Sequence, residues 1–277
     1  MKPISRRQPS KAADGSFRQS VCYWCYEKLG LEKLAPAAAA MGIQSVELVP
    51  VEKWPILKKH GLVCAMTLSH GFIDGWSHKE NHAACAEAIT KAVDATAAAG
   101  FPNVLTFSGL RRGLADDVGL ENTVEGLKTV LGHAEKKNVT LCLEMLNSRV
   151  DKHMIGVPDY MCDKIEWAVE VCRRIGSPRM KVLFDVFHVQ IMQGDLLRRI
   201  RKYRDYISHY HTAGVPGRHE IDRNQEINYA AVFREIAATG FTGYVGHEFI
   251  PTRDPLTSLQ AAVDLCNTAR RRKPPAA

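Results

Sequence analysis

Short apolar or β-branched runs recur along the chain near residues 18–25, 45–49, 62–69, 103–109, 140–146, 180–186, 207–213 and 243–249. Each has the length and composition of a buried strand. The stretches between them have helical period. "NHAACAEAITKAVDATAAAG" predicts a long helix that stops at Gly100, and "ENTVEGLKTVLGHAEKKN" predicts another ending near Asn138. "PDYMCDKIEWAVEVCRRIG" predicts a helix with Pro158 in its first turn and a stop at Gly176, and "NYAAVFREIAATG" one that stops at Gly240. Eight strand–helix units over about 250 residues predict a single (β/α)₈ TIM barrel, the α/β class. An open doubly wound sheet is the alternative. No G-x-G-x-x-G turn opens any of these helices, which argues against a dinucleotide-binding version.

Polar residues interrupt the apolar runs late in each strand. They are Glu47 in "SVELV", Glu144 in "TLCLEML", Asp185 in "KVLFDVFH", His209 and His211 in "ISHYHTAG", and Glu248 in "GYVGHEF". A barrel carries its active site at the C-terminal ends of its strands. Glu144, Asp185, His211 and Glu248 would come from four successive strands, the fifth to the eighth. A carboxylate in a strand covered on both faces is costly unless a cation, a proton or a hydrogen bond satisfies it. Three carboxylates clustered without a cation repel one another. One divalent metal resolves this, and oxygen ligands with one nitrogen suit Mg²⁺, Mn²⁺, Co²⁺ or Zn²⁺. His209 and His211 share a strand face, so alternation does not choose between them; His211 is nearer the strand end.

The charge and the cysteines change this picture little. The formal net charge is +7 over 277 residues. Lys2, Arg6, Arg7 and Lys11 at one end and Arg270, Arg271, Arg272 and Lys273 at the other outnumber that surplus, so the body is near neutral. The basic balance is therefore weak support for a nucleic-acid partner. No run of about 18 apolar residues predicts a membrane span. Most of the eight cysteines fall in apolar runs, which fits reduced core thiols and a cytoplasmic protein. "CYWC", Cys22 to Cys25, is a lone C-x-x-C; on a strand the two point to opposite faces and share no metal. Arg6-Arg7 is followed by Pro9, Ser10, Lys11, Asp14 and Gly15 rather than by an apolar export segment. The expected organisation is a basic disordered tail over 1–17, the barrel over 18–270, and a second tail over 271–277.

At "LEMLNSR", "LFDVFHVQIMQGD", "HYHTAGVPGRHEID", "EINY" and "GYVGHEFIP" the chain resembles the xylose-isomerase-like barrel superfamily and, within it, the hydroxypyruvate isomerase group. The D-x-x-H of Asp185 and His188 and the stretch from His211 to Arg218 are its most specific pieces. The resemblance implies one divalent metal on Glu144, Asp185, His211 and Glu248. It makes Glu144 and Glu248 the acid–base pair, and has His188 and Arg218 hold substrate oxygens. Two departures stand out. A histidine at 211, where hydroxypyruvate isomerases can carry glutamine, is similar to the ketose 3-epimerases. Those enzymes tend to have a further glutamate after the fifth strand, where this chain has Ser148, Arg149 and Val150. Zinc AP endonucleases of the superfamily need a D-x-H pair that "GRHEIDRNQE" lacks.

The chemistry so implied is isomerisation of a small α-hydroxy carbonyl compound of the hydroxypyruvate/tartronate semialdehyde type. A glutamate removes the proton beside a metal-polarised carbonyl, giving a cis-enediolate. Reprotonation of the neighbouring carbon isomerises; reprotonation of the opposite face epimerises. A ketose 3-epimerase or other sugar isomerase is the alternative, with a non-catalytic sugar-binding barrel behind it. An arginine fork suits an anionic substrate. Glu47 and His70 are expected to line the pocket as substrate contacts, and "SHGFIDGWSHKENH", with His78 and His82, to be a lid or surface loop. Trp24 is expected in the core, with an apolar wall of the pocket as the alternative, and Arg111 and Arg112 in a loop facing solvent or an anion. The expected partner is the small-molecule substrate, with no nucleic acid or membrane; pairing into a homo-oligomer fits the resemblance.

Overall fold

The computed structural model describes residues 17–271. Among them, seven parallel strands form one sheet: β1 (Arg18–Cys22), β2 (Ser45–Glu47), β3 (Asn103–Thr106), β4 (Thr140–Glu144), β5 (Met180–Asp185), β6 (Ile207–Thr212) and β7 (Tyr244–His247). Their spatial order is β2-β1-β7-β6-β5-β4-β3. Nearly every strand residue is buried, as expected for strands covered on both faces.

The run at 62–69 closes the barrel between β2 and β3 without being a regular strand. It pairs through isolated parallel bridges, Ser45 with Val63 and Thr67 with Val104. Backbone bonds run from Val46 N to Val63 O (3.1 Å), from Leu48 N to Met66 O (2.9 Å) and from Leu105 N to Thr67 O (2.9 Å). Side chains replace the ladder at Ala65: Ser45 Oγ accepts from its N–H at 2.9 Å, and Asn103 Nδ2 donates to its carbonyl at 2.8 Å. The residue stays satisfied while the regular pattern is lost. The eight-unit architecture stands, with the third unit irregular.

Helices pack outside the sheet: α1 (Leu31–Ala40), α2 (Trp54–Lys59), α3 (His82–Ala99), α4 (Asp116–Lys136), α5 (Ile165–Ile175), α6 (Val186–Met192), α7 (Leu196–Tyr203), α8 (Tyr229–Ala238) and α9 (Pro255–Arg271). α3 stops at Gly100, which takes the left-handed conformation (φ 73°) that only glycine adopts without cost. α5 begins at Ile165, not at Pro158. Residues 158–164 form a loop because tertiary contacts claim them: Tyr160, Met161 and Cys162 are fully buried. The Tyr160 hydroxyl accepts from Ser108 N and donates to Glu144 O, both at 3.1 Å, which ties this loop across the strand ends.

Phe17 is buried, and Arg270 Nη1 donates to its carbonyl at 2.8 Å. The rest of the expected tails, 1–16 and 272–277, lies outside the described residues. Among the described residues no helix is long and apolar enough to cross a membrane.

Candidate active site

Glu144 closes β4, Asp185 closes β5, His211 is the penultimate residue of β6, and Glu248 follows directly after β7. Parallel pairing puts Asp185 beside His211 and His211 beside Gly246 in register. The four side chains therefore meet at one end of the barrel. Each offers a ligand atom, and these atoms all lie within 4.8 Å of one another. All four residues are buried.

Asp185 serves two structures at once. Its Oδ1 caps α6, accepting from Phe187 N (2.8 Å) and His188 N (3.4 Å). An aspartate is well suited to such a cap because it satisfies otherwise orphaned helix N–H groups. Starting the helix immediately after the strand swings His188 over the cluster. Oδ2 is left to accept from Arg218 Nη2 at 2.8 Å. Arg218 comes from the loop after β6, at a positive φ of 61°, an unusual conformation for a non-glycine residue. Its Nη2 also pairs with Glu248 Oε2, and its guanidinium lies 4.8 Å from the Phe187 ring centroid. Its Nε has no partner although it is buried.

His188 is held between Asn147 and Arg218. The Asn147 backbone N–H donates to Nδ1 at 3.0 Å, and the Asn147 side chain lies 2.7 Å from the same atom. Nε2 lies 2.9 Å from Arg218 Nη1, which can only donate, and 3.5 Å from Asp185 Oδ2, so a donor faces each ring nitrogen. Burial holds His188 neutral, pushing its pKa down to about 3. Asn147 carried no sequence signal beyond its place three residues after Glu144.

Burial, reinforced by the charge of Glu248 and opposed by His211, pushes the Glu144 carboxyl up to about 7. Burial acts the same way on Glu248, but His211, Arg218 and the Trp24 indole outweigh it and hold that carboxyl well below its usual range. His211 Nδ1 lies 2.6 Å from Glu248 Oε2 and 3.4 Å from Glu144 Oε1, yet it makes no hydrogen bond of acceptable geometry. Burial opposes a charge on His211, but Cys22, Glu248 and Glu144 hold its pKa well above the usual imidazole value; a ligating imidazole is neutral, and with His211 in that state three carboxylates and one guanidinium leave two negative charges. An orphaned imidazole nitrogen beside hard oxygen donors, with that charge, fits a divalent ion.

The remaining expectations fall elsewhere. Glu47, expected as a substrate contact, is fully buried behind His211; its Oε1 is 2.7 Å from His211 Nε2 and 2.9 Å from His209 Nε2. His70 is engaged through Nε2 with Thr106 Oγ1 and through Nδ1 with Gly71 O, both at 2.9 Å. Trp24 is not in the core: it is half-exposed, and its indole reaches Glu248 Oε1. Arg111 pairs with Asp116 and Asp163, and Arg112 with Asp74. His78 and His82 bond to backbone carbonyls of Leu110 and Trp76. Cys22 ends β1, whereas Cys25 sits in a 3₁₀ turn, and all eight cysteines are free.

A closed parallel barrel with an acidic cluster at the C-terminal ends of its strands is the (β/α)₈ class, with its site where that class carries it. The chain belongs to the xylose isomerase-like TIM barrel family, whose model matches residues 34–268. It is 34% identical over 133 residues to the Danio rerio protein named "Putative hydroxypyruvate isomerase"; the match covers 48% of this chain and 46% of that one, so the chain spans about half that relative's length. A 2-oxo-tetronate isomerase from Haemophilus influenzae is 28% identical over 236 residues, covering 80% of this chain and 89% of its own. Among solved structures, a D-psicose 3-epimerase from Clostridium cellulolyticum H10 with D-tagatose shares the fold, with a TM-score of 0.76, 16% identity, and coverage of 92% of this chain and 99% of that chain.

Proposed function

We propose that the protein is a metal-dependent isomerase of a small 2-oxo acid carrying an adjacent hydroxyl, of the hydroxypyruvate/tartronate semialdehyde type. The observation that carries this reading is the meeting of Glu144, Asp185, His211 and Glu248 at one buried point, with His188 and Arg218 beside it. The four would hold one Mg²⁺, Mn²⁺, Co²⁺ or Zn²⁺ ion. When bound, that ion polarises the substrate carbonyl and lowers the pKa of the neighbouring C–H.

The chain's own residues do the rest. One of Glu144 and Glu248 takes the proton from the hydroxyl-bearing carbon, and a proton returned to the former carbonyl carbon completes the isomerisation. His188, held beside Arg218 at the edge of the cluster, is positioned to contact a substrate oxygen. Arg218, whose buried Nε has no partner, brings the positive charge that suits a substrate carboxylate. The names of the two relatives, hydroxypyruvate and 2-oxo-tetronate isomerase, both denote 2-oxo acids, which favours this class over neutral sugars. Two glutamates at one site also serve a 3-epimerase, the second reading.

The test is turnover of hydroxypyruvate, four-carbon 2-oxo acids and free ketoses by metal-loaded protein in D₂O, followed by NMR. Deuterium on the former carbonyl carbon of the product from a 2-oxo acid is expected. Deuterium only at C3 of a ketose would favour epimerisation, and no exchange with any of them would remove the isomerase reading.

A further inference from the structure

Behind the acidic cluster lies a second buried layer. Glu47 Oε1 lies 2.7 Å from His211 Nε2 and 2.9 Å from His209 Nε2, and the Cys22 thiol reaches the same oxygen at 3.4 Å. All four residues are fully buried. They come from β1, β2 and β6, and β7 contributes the space. A Cβ on Gly246 would overlap Glu47 Oε1 and stand 3.0 Å from His211 Cδ2. The absence of a side chain at 246 is what lets carboxylate and imidazole meet.

An ionised carboxylate only accepts hydrogen bonds. Both histidines must therefore present Nε2–H to Glu47. For a neutral, metal-ligating His211 that choice leaves a lone pair on Nδ1, on the other side of the ring, facing Glu144 and Glu248. A lone pair among carboxylate oxygens is repulsive unless a cation lies between them. Cys22, Glu47 and His211 are also ligand types lying close together, but both histidine contacts on Glu47 have hydrogen-bond geometry, whereas His211 Nδ1 has no hydrogen-bond partner and is the nitrogen open to an ion.

We propose that Glu47 is the positioning carboxylate of this site: by accepting the Nε2–H of His211 it fixes the tautomer and aim of the ring, so that Nδ1 serves as the nitrogen ligand of a single divalent ion. This rests on the metal reading above and gives Glu47 a role other than substrate contact. A carboxylate behind a ligating histidine raises ligand basicity, and its loss typically lowers metal affinity about 10- to 100-fold.

The experiment measures Mn²⁺ binding to the wild-type chain and to Glu47→Gln by EPR of the free ion, with circular dichroism to verify folding. Glutamine keeps the shape and loses the charge. One Mn²⁺ per wild-type chain and an affinity about 10- to 100-fold lower in the variant are expected. Equal affinities overturn the positioning role while leaving the metal reading intact. A wild type that takes up no Mn²⁺ overturns the metal reading and this inference with it. Two ions per chain would make Glu47 a ligand and overturn it as well. Should the variant not fold, ¹⁵N NMR of the Zn²⁺-loaded wild type decides: the His211 proton on Nε2 supports the proposal, and a proton on Nδ1 overturns it.

Discussion

The indole Nε1 of Trp24 donates a 2.7 Å hydrogen bond to Oε1 of Glu248. The bond joins the turn after β1 to the residue after β7, and leaves Oε2 of the carboxylate for Arg218 and His211. A hydrogen bond to a charged group is worth about 1.5–3 kcal/mol. Trp24→Phe keeps the ring and removes the donor. Turnover efficiency should fall about ten- to 100-fold. Unchanged kcat/KM would show that the bond does not serve the reaction.

Glu248→Gln keeps one oxygen ligand and removes a base. Metal affinity should persist in part while turnover drops about 10²–10⁴-fold. Substrate deuterium exchange should slow with it. A variant with normal exchange would leave Glu248 as a ligand only.

His188→Ala should raise KM or lower kcat and leave metal content, read by atomic absorption, as it was. The side chain is held by Asn147 rather than placed among the four clustered ligand atoms. Loss of metal from this variant would make His188 a ligand instead.

Glu220 predicts a pH dependence of stability. Burial opposes its charge, but backbone N–H donors, including that of Thr252, and the Thr252 and Ser258 hydroxyls hold its pKa at about 2 against an ordinary 4.5. A depressed carboxyl contributes stability in full above pH 4.5, and loses it as pH falls towards 2. Between pH 5 and pH 3 the urea midpoint of the wild type should fall by more than that of Glu220→Gln. Parallel curves for the two proteins would rule out this contribution.

Much of the barrel was legible because a strand buried on both faces has little freedom in composition. The four clustered residues stood out for the same reason: each is a polar group in an apolar run. What pattern could not supply was register. Alternation says which face Glu47 takes, but not that it lies behind His211; that depends on how β1, β2, β6 and β7 are staggered. Trp24 was illegible for a related reason, since the strand ended at Cys22 and a 3₁₀ turn carried the ring to the mouth. The helix at 158–176 was over-read because local period says nothing of Tyr160 being claimed by Ser108 and Glu144.

The pairing of β1 with β7 bears on how this chain leaves the ribosome. Arg18 meets the Tyr244 hydroxyl across 226 positions of sequence. During synthesis β1 can find β2 early, but its other edge stays open until the 226 positions to Tyr244 have been made. Val21 and Cys22, fully buried in the finished barrel, wait through that interval beside an unpaired backbone. Closure thus waits on β7, and until then the first strand of the sheet lacks its last neighbour.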